Sequence, residues 1–243
     1  MSDTQSELSI IGGRFSHDTL RKVLADREPG TILDAPCGTG VFTQFLLERG
    51  WDVHCADIDP GHMKLSDVPF TRVNLNRTDD LEIGPFDAVV CANGLHRLFN
   101  PAGAIRGFYR WLKPGGSLFI TVNNYASIEK RIRFLFYGSI TNTINESNYI
   151  QTIDDPEANV RHLLFYPQLA NLLESAGFDI VDIQHSSRKM RHRVMMPIAW
   201  AIRLGTLFIS PKSRRRSRIS ETTSSALLPG GKYVFIEAKK PHA

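Results

Sequence analysis

The stretch TILDAPCGTG (residues 31–40) joins a short apolar run to two closely spaced glycines. Residues 31–35 predict a buried β-strand, and residues 41–48 predict a helix. Glycine lets the backbone approach a ligand where a Cβ atom would collide. A strand that passes through such a turn into a helix N-terminus presents backbone N–H groups and a positive dipole end. The stretch therefore predicts a ligand-binding turn at the carboxyl end of a strand.

A second predicted strand, residues 51–56, is followed directly by Asp57. In nucleotide-binding α/β folds, a carboxylate at this place accepts hydrogen bonds from ribose hydroxyls. The dinucleotide fingerprint would have a third glycine at position 43, where this chain has Thr43. That fingerprint also has no need of an acid at Asp34. The stretch therefore departs from the dinucleotide-binding fingerprint.

Further segments alternate between predicted strands and helices, which indicates a parallel sheet with right-handed crossovers. FDAVVCAN (86–93) predicts a strand and is followed by GLHRLFNP (94–101). WLKPGG (111–116) ends a helix before the predicted strand 117–122. Residues 71–75, 178–184 and 232–238 predict three more strands, and residues 128–136 predict a basic helix.

Taken in order, these motifs resemble those of the class I S-adenosylmethionine-dependent methyltransferases, from about residue 28 to residue 185 plus the final strand. The resemblance implies an α/β fold with a Rossmann-like, doubly wound, mostly parallel seven-stranded sheet flanked by helices. Its strand order would be 3-2-1-4-5-7-6, with strand seven antiparallel. We expect a single methyltransferase domain over residues 1–243, preceded by a loose arm at 1–15.

The resemblance also implies roles for particular residues toward S-adenosylmethionine. Asp34 would orient the methionine amino group, and Asp57 would hold the ribose hydroxyls. Asn93, at the end of strand four, would meet the methionine end. The remaining expected contacts are backbone groups at Cys37, Gly38 and Gly40, adenine packing by Ile58, and adenine-side contacts near Asn74 and Leu75.

The segment after strand four is where many relatives carry two adjacent polar residues before a leucine. This chain has His96-Arg97-Leu98. An acceptor hydroxyl must lose its proton during methyl transfer, so a base is useful there. We predict His96 as that base; the alternative is a histidine that only orients the loop. Arg97 could contact an anionic substrate.

Several other chemistries are disfavoured by the sequence. The three cysteines have no pairing pattern, which suggests reduced thiols, and we expect Cys37 to be a packing residue. No cluster of His, Cys or Asp has metal-ligand spacing, so no metal is expected. The segment after strand four also lacks the signature of enzymes that methylate the amino groups of bases. We expect a small-molecule, glycan or lipid-linked acceptor, methylated at oxygen.

Residues 188–218 contain ten Lys or Arg and no Asp or Glu, although the whole chain is only +4. Within them, residues 194–209 are almost entirely apolar but too short for a membrane span. An insert at 187–220 could be a peripheral membrane contact or a buried lid over the site. Nucleic-acid binding is disfavoured because few aromatic residues accompany the charges. No basic secretory n-region is visible, so we expect a cytoplasmic protein, with any contact on the inner membrane face.

Two alternative functions stay open from the sequence. One is an RNA methyltransferase whose basic insert follows phosphates. The other is a protein that binds S-adenosylmethionine without transferring a methyl group and acts as a membrane-associated interaction module. Neither the acceptor nor the oligomeric state is fixed by these patterns.

Overall fold

A computed structural model of the chain describes residues 16–140, 163–185 and 194–242. Its strands are β1 Thr31–Asp34, β2 Asp52–Asp57, β3 Phe70–Arg72, β4 Phe86–Ala92, β5 Leu112–Asn123, β6 Asp179–His185 and β7 Tyr233–Lys239. Its α-helices are α1 Ser16–Ala25, α2 Val41–Glu48, α3 Pro101–Trp111, α4 Ile128–Tyr137, α5 Tyr166–Ser175, α6 Met196–Thr206, α7 Pro211–Arg216 and α8 Ile219–Thr222. The expected arm at 1–15 lies outside the described residues.

The described strands form one seven-stranded sheet in the order β3-β2-β1-β4-β5-β7-β6, as predicted. β1 pairs in parallel with β2 and β4, and β4 pairs in parallel with β5. β7 runs antiparallel to both β5 and β6. The carboxyl ends of β1, β2, β4, β5 and β6 therefore share one edge of the sheet, which is where ligands bind in folds of this type.

Helices cover both faces of the sheet. Successive residues of each parallel strand point to opposite sides, so each strand contributes side chains to the core on both faces. Ile32 of β1 packs into a cluster with the buried side chains of α1 and α2. Its neighbour Leu33 packs into the cluster on the other face, which includes Phe108 and Trp111 of α3. The helices fix the sheet from both sides and hold its carboxyl edge in place.

Two strand boundaries differ from the sequence prediction. β3 ends at Arg72 and not at residue 75, because Asn74 folds into a turn: its Oδ1 accepts a hydrogen bond from the Asn76 backbone N–H at 3.0 Å. β5 begins at Leu112 and not at residue 117. Leu112 already pairs with Phe86. The Pro-Gly-Gly turn lies in the irregular stretch of β5 between this pair and the next one.

The described part of the connection between β6 and β7, residues 194–232, contains three helices and then a run of turns from residue 223. α6, α7 and α8 follow one another there, and the short basic helix α4 lies beside α6. Among the described residues, no helix has the length and apolar content required to cross a membrane. Cys37, Cys55 and Cys91 are buried free thiols, as the sequence indicated.

An ion pair with one buried partner ties the segment after α1 to β7, the second strand from one edge of the sheet. Arg27 donates from Nη2 to Oε2 of Glu237 at 2.7 Å, and the Ser117 hydroxyl donates to Oε1 at 3.3 Å. Glu237 is almost fully buried in β7, whereas Arg27 is partly exposed. The carboxylate depends on Arg27 because a buried charge without a partner is costly.

We therefore expect Arg27→Ala to lower the free energy of unfolding by about 2 kcal/mol, since it leaves the Glu237 charge buried beside one hydroxyl. Urea unfolding followed by circular dichroism measures this. The matched control is the double variant Arg27→Ala/Glu237→Gln, which removes the charge and should recover much of the loss. Equal stability of Arg27→Ala and the wild type would contradict the assigned role of the pair.

Candidate functional site

The turn that follows β1 is fixed to both neighbouring strands. The Ala35 N–H donates to the Val90 carbonyl at 2.9 Å, and the Cys37 N–H donates to the Ala56 carbonyl at 3.1 Å. Gly94, after β4, lies against Pro36, so the two turns pack directly on each other. These contacts bring the ends of β1, β2 and β4 together and give the predicted site a rigid backbone.

Asp57 closes this turn from the end of β2. Its Oδ2 accepts the Gly38 N–H at 2.8 Å, and its Oδ1 accepts the Asp59 N–H at 3.3 Å. Gly38 has a φ of +55°, and a Cβ built there would find no atom within 4 Å. The turn therefore borders open space, and its conformation favours glycine.

Gly40 closes the other end of the turn, where α2 begins. Its φ is +86°, and an added Cβ would lie 3.0 Å from Sδ of Met63 and 3.1 Å from the side chain of Leu65. Both the backbone angle and the neighbouring side chains exclude a larger residue. The helix N-terminus is consequently held next to the open space beside Gly38.

Asp34 is the most deeply buried charged group at this edge, with 1% of its surface exposed. Its Oδ2 accepts the Thr43 hydroxyl at 2.7 Å, while Oδ1 is buried and has no hydrogen-bond partner among the described residues. Burial raises the pKa of Asp34 to about 7; the nearby Asp57 also raises it, and the Thr43 hydrogen bond opposes both. Asp34 is thus a buried acceptor with one oxygen unsatisfied.

Asn93 provides a second unsatisfied acceptor at the end of β4. It has a φ of +55°, and its backbone N–H donates to the Thr121 carbonyl at 3.0 Å. Its Oδ1 is buried and unpartnered among the described residues. A strained φ in a residue other than glycine, beside an orphaned oxygen, is typical of a functional site.

These features fit the cofactor that the sequence resemblance implies. Asp34 ends β1 and Asn93 follows the adjacent parallel strand β4, and each has a buried acceptor oxygen unsatisfied among the described residues. A cationic amino group supplies the donors that such oxygens lack. The open space beside Gly38 and the Asp57 carboxylate border the same turn. The residues present therefore fit S-adenosylmethionine.

The other predicted cofactor residues occupy different environments. The Cys37 thiol is buried in the core, and a hydrogen bond with Cys55, together with burial, raises its pKa, so only its backbone can face a ligand. Ile58 is about half exposed beside Asp57. The Leu75 side chain is buried in the core, and Asn74 forms the turn after β3.

His96 lies in the 3-10 helix Leu95–Arg97, directly after the Gly94 contact with the glycine turn. Leu95 is fully buried and anchors this segment, whereas Arg97 is exposed. The His96 side chain is partly buried, and its Nδ1 atom is fully enclosed. The segment therefore brings an imidazole to the same edge of the sheet as Asn93.

The hydrogen bond from Thr43 to Asp34 was not predicted from the sequence. The Thr43 hydroxyl donates to Asp34 and lies 3.3 Å from Sγ of Cys55. The only signal in the sequence was the replacement of the third glycine of the dinucleotide fingerprint by a hydroxyl residue. A hydroxyl on the first turn of α2 reaches back to the end of β1, which glycine could not do.

Comparisons with known proteins bear on the family and the fold of the chain. A family model described as a methyltransferase domain matches residues 10–183. The ubiquinone biosynthesis O-methyltransferase of Pseudomonas paraeruginosa is 30% identical over 105 residues, which cover 39% of this chain and 44% of that protein. The corresponding enzyme of Alkalilimnicola ehrlichii is 28% identical over 116 residues, covering 44% and 47%. The chain thus spans less than half the length of these curated relatives.

Solved structures show the same fold. A SAM-dependent methyltransferase from Archaeoglobus fulgidus superposes with a TM-score of 0.57 at 18% identity, covering 93% of this chain and 92% of that one. The Burkholderia thailandensis 1,6-didemethyltoxoflavin-N1-methyltransferase, solved with its substrate and S-adenosylhomocysteine, gives 0.53 at 19% identity, covering 94% and 77%. Because the family model covers most of the chain, the protein belongs to the methyltransferase domain family.

Proposed function

We propose that the protein methylates a hydroxyl oxygen of a small-molecule acceptor, and that this acceptor is lipid-linked. The observation that carries the proposal is the position of His96 at the carboxyl edge of the sheet, immediately after Asn93 and beside the glycine turn. A hydroxyl acceptor has to lose a proton, and an imidazole can take it near neutral pH. The matched ubiquinone biosynthesis enzymes are O-methyltransferases by name, which supports an oxygen acceptor.

Each residue of the site would have a separate task toward the cofactor. Asp34 and Asn93 would accept hydrogen bonds from the methionine amino group through their unsatisfied oxygens. Asp57 would bind the ribose hydroxyls while it keeps its bond to the turn. The further contacts would come from the backbone of Cys37, Gly38 and Gly40, from Ile58 against the adenine, and from Asn74 with the backbone of Leu75.

When bound, S-adenosylmethionine supplies a methyl group on a sulfonium, which is already activated. The protein therefore has to hold the acceptor in line and exclude water, more than it has to activate the donor. His96 would take the hydroxyl proton as the acceptor oxygen reacts, so that no free alkoxide has to form in the site. Its segment is held by the buried Leu95, which keeps the imidazole in a fixed place.

A lipid-linked acceptor has to be met at a membrane surface. The peripheral contact predicted for residues 188–218 therefore belongs to the same proposal. Residues 194–218 are described, and they form α6 and α7. The apolar part of this segment supports an apolar neighbour, whereas single-stranded nucleic acid would call for interleaved aromatic residues.

If His96 is the base, His96→Ala should lower kcat by about 100-fold or more, with little change in the affinity for S-adenosylhomocysteine. Initial rates with hydroxylated quinone precursors and polyprenyl-linked glycans measure the first quantity, and calorimetry measures the second. Arg106→Ala is the control, since Arg106 is an exposed cation of α3 with no predicted role in the site. Unchanged turnover by His96→Ala would remove His96 as the base.

Asp34 and Thr43 give a prediction for pH. Below the Asp34 pKa of about 7, the carboxyl group is protonated and no longer attracts a cationic amino group. The affinity for S-adenosylhomocysteine should therefore fall as pH falls through 7, by about tenfold per pH unit. Thr43→Val removes the hydrogen bond that lowers this pKa, so the fall should begin at a higher pH.

The controls for this prediction separate Asp34 from other titrating groups. Thr43→Ser keeps the hydroxyl and should keep the wild-type pH profile. Asp34→Asn should bind weakly at every pH, without the step near 7. Calorimetric titrations across this range measure all four proteins. A wild-type affinity that is flat across this range, or a step that survives in Asp34→Asn, would show that Asp34 does not contact the amino group.

A further inference from the structure

We propose that the outer faces of α4 and α6, together with the cations of α7, form a docking surface for an anionic lipid bilayer. This proposal deepens the proposed function and rests on it in one respect, the delivery of a lipid-linked acceptor to the site. This docking surface comprises residues 134–137, 197–208 and 211–216.

α6 differs from an ordinary surface helix in that an arginine faces the protein and apolar side chains face outward. Its inner side includes Arg203, whose Nε donates to the Thr223 carbonyl at 2.8 Å. The outer side of α6 and of the turn that follows it has no polar side chain. The exposed residues there, at helical spacing, are Pro197, Ile198, Trp200, Ala201, Leu204, Gly205, Leu207 and Phe208. Phe208 is 93% exposed. An outer face without polar groups indicates a partner other than water.

α4 extends the same surface. It packs beside α6, because Ile128 of α4 and Ala199 of α6 meet in one small cluster with Leu228. Its final turn then projects outward, and the four consecutive side chains Phe134, Leu135, Phe136 and Tyr137 are all exposed. Four neighbouring apolar residues cannot all be on the outer side of a helix unless its end protrudes. The protruding turn and the outer face of α6 therefore expose apolar surface on two adjacent helices.

The charge next to this surface selects the kind of partner. Ser210 caps α7 only two residues after Phe208, and α7 then presents Lys212, Arg214, Arg215 and Arg216. Residues 194–218 contain no acidic side chain, and no carboxylate of the described residues pairs with these four cations. Apolar residues flanked by cations match an anionic bilayer, whose interior takes the apolar groups and whose headgroups attract the charges.

The same charges argue against a second copy of this chain as the partner. A symmetric dimer brings the same patch of both molecules together. Four cations of one copy would then lie near four of the other, and like charges across an interface are unfavourable. An anionic surface removes this repulsion.

The docking surface is attached to the edge of the sheet that carries the site. α4 starts just after β5, and its Ile128 N–H donates to the Leu228 carbonyl at 2.9 Å. The buried Asn124 holds the same connection, since its Nδ2 donates to the Leu227 carbonyl at 2.8 Å. A protein docked through this surface would keep the edge with Asp34, Asp57 and Asn93 attached to the membrane-bound helices, where a lipid-linked acceptor is available.

The test uses the full chain with phosphatidylcholine vesicles, with and without phosphatidylglycerol. Co-sedimentation measures binding, and Trp200 reports insertion because it is 59% exposed whereas Trp51 and Trp111 are buried. We expect binding that requires phosphatidylglycerol and weakens with salt, together with a blue shift of tryptophan emission. Trp200→Phe should remove the blue shift and leave the co-sedimentation.

Two variants separate the parts of the surface. Leu204→Ser/Phe208→Ser should reduce both binding and the blue shift. Replacing Lys212, Arg214, Arg215 and Arg216 by serine should lower the partition coefficient by about tenfold or more. The matched control is Val181→Ser, which changes an exposed apolar residue on β6, outside the docking surface.

Failure of the wild type to bind phosphatidylglycerol vesicles would overturn the proposal, as would full binding by Leu204→Ser/Phe208→Ser. A dimer in solution that these serines dissociate would show that a second copy covers the face, and would also overturn it. Calorimetry with S-adenosylhomocysteine on the same variants distinguishes this proposal from the proposed function. A protein that binds S-adenosylhomocysteine and transfers methyl groups but does not bind vesicles would contradict the docking surface alone. A protein that binds vesicles but transfers no methyl group to any hydroxyl acceptor would contradict the proposed function alone.

Discussion

The hydrogen bond from the Gly38 N–H to the Asp57 carboxylate is the constraint on which the site depends. It joins the turn after β1 to the end of β2, so two strand ends and the start of α2 take one fixed arrangement. Without it, a turn with two glycines in the left-handed region would have many alternative conformations. The bond also explains why an acid is needed at position 57 before any ribose is bound.

The burial of Asp34 in this site costs the fold stability. A carboxyl group with a folded pKa near 7 binds its proton more tightly in the fold than in the unfolded chain. The stabilisation from that proton is complete below the unfolded pKa of 3.8 and is lost as pH rises through 7. Above pH 7, Asp34 without a bound ligand is therefore a buried carboxylate with one oxygen unsatisfied among the described residues. Perturbed groups of this kind concentrate where a ligand is to be bound.

The docking surface represents a second departure from ordinary folding rules, at the same edge of the sheet. Arg203 is turned inward to a backbone carbonyl while leucine and phenylalanine face outward. Burying those apolar groups in the protein would have stabilised the fold, so their exposure is a cost that a partner has to offset. The first departure lies in the predicted cofactor site and the second on helices attached to the same edge of the sheet, which is the pattern expected when local rules are broken for function.

The sequence was informative wherever the pattern is local. The apolar run, the two glycines and the acid at position 57 predicted the turn, and the family resemblance supplied the strand order, including the antiparallel β7. Contacts between distant residues were not readable. The Thr43 bond to Asp34 needs the register of α2 against β1, and the end of β3 depends on a side-chain turn at Asn74. The apolar run at 194–209 was visible, yet it predicted a buried lid as readily as an exposed face, because periodicity does not say which side meets the protein.

The measurement that tests the central claim most directly is calorimetric titration of S-adenosylhomocysteine into the wild type and into Asp57→Ala, with Asp59→Ala as the matched control. Asp59 lies two residues away and is exposed, and its side chain caps a 3-10 turn and contacts His62. The account predicts micromolar binding by the wild type and by Asp59→Ala, and no measurable binding by Asp57→Ala with an unchanged circular dichroism spectrum. Wild-type affinity in Asp57→Ala, or no binding by the wild type, would contradict the assignment of this turn as the cofactor site.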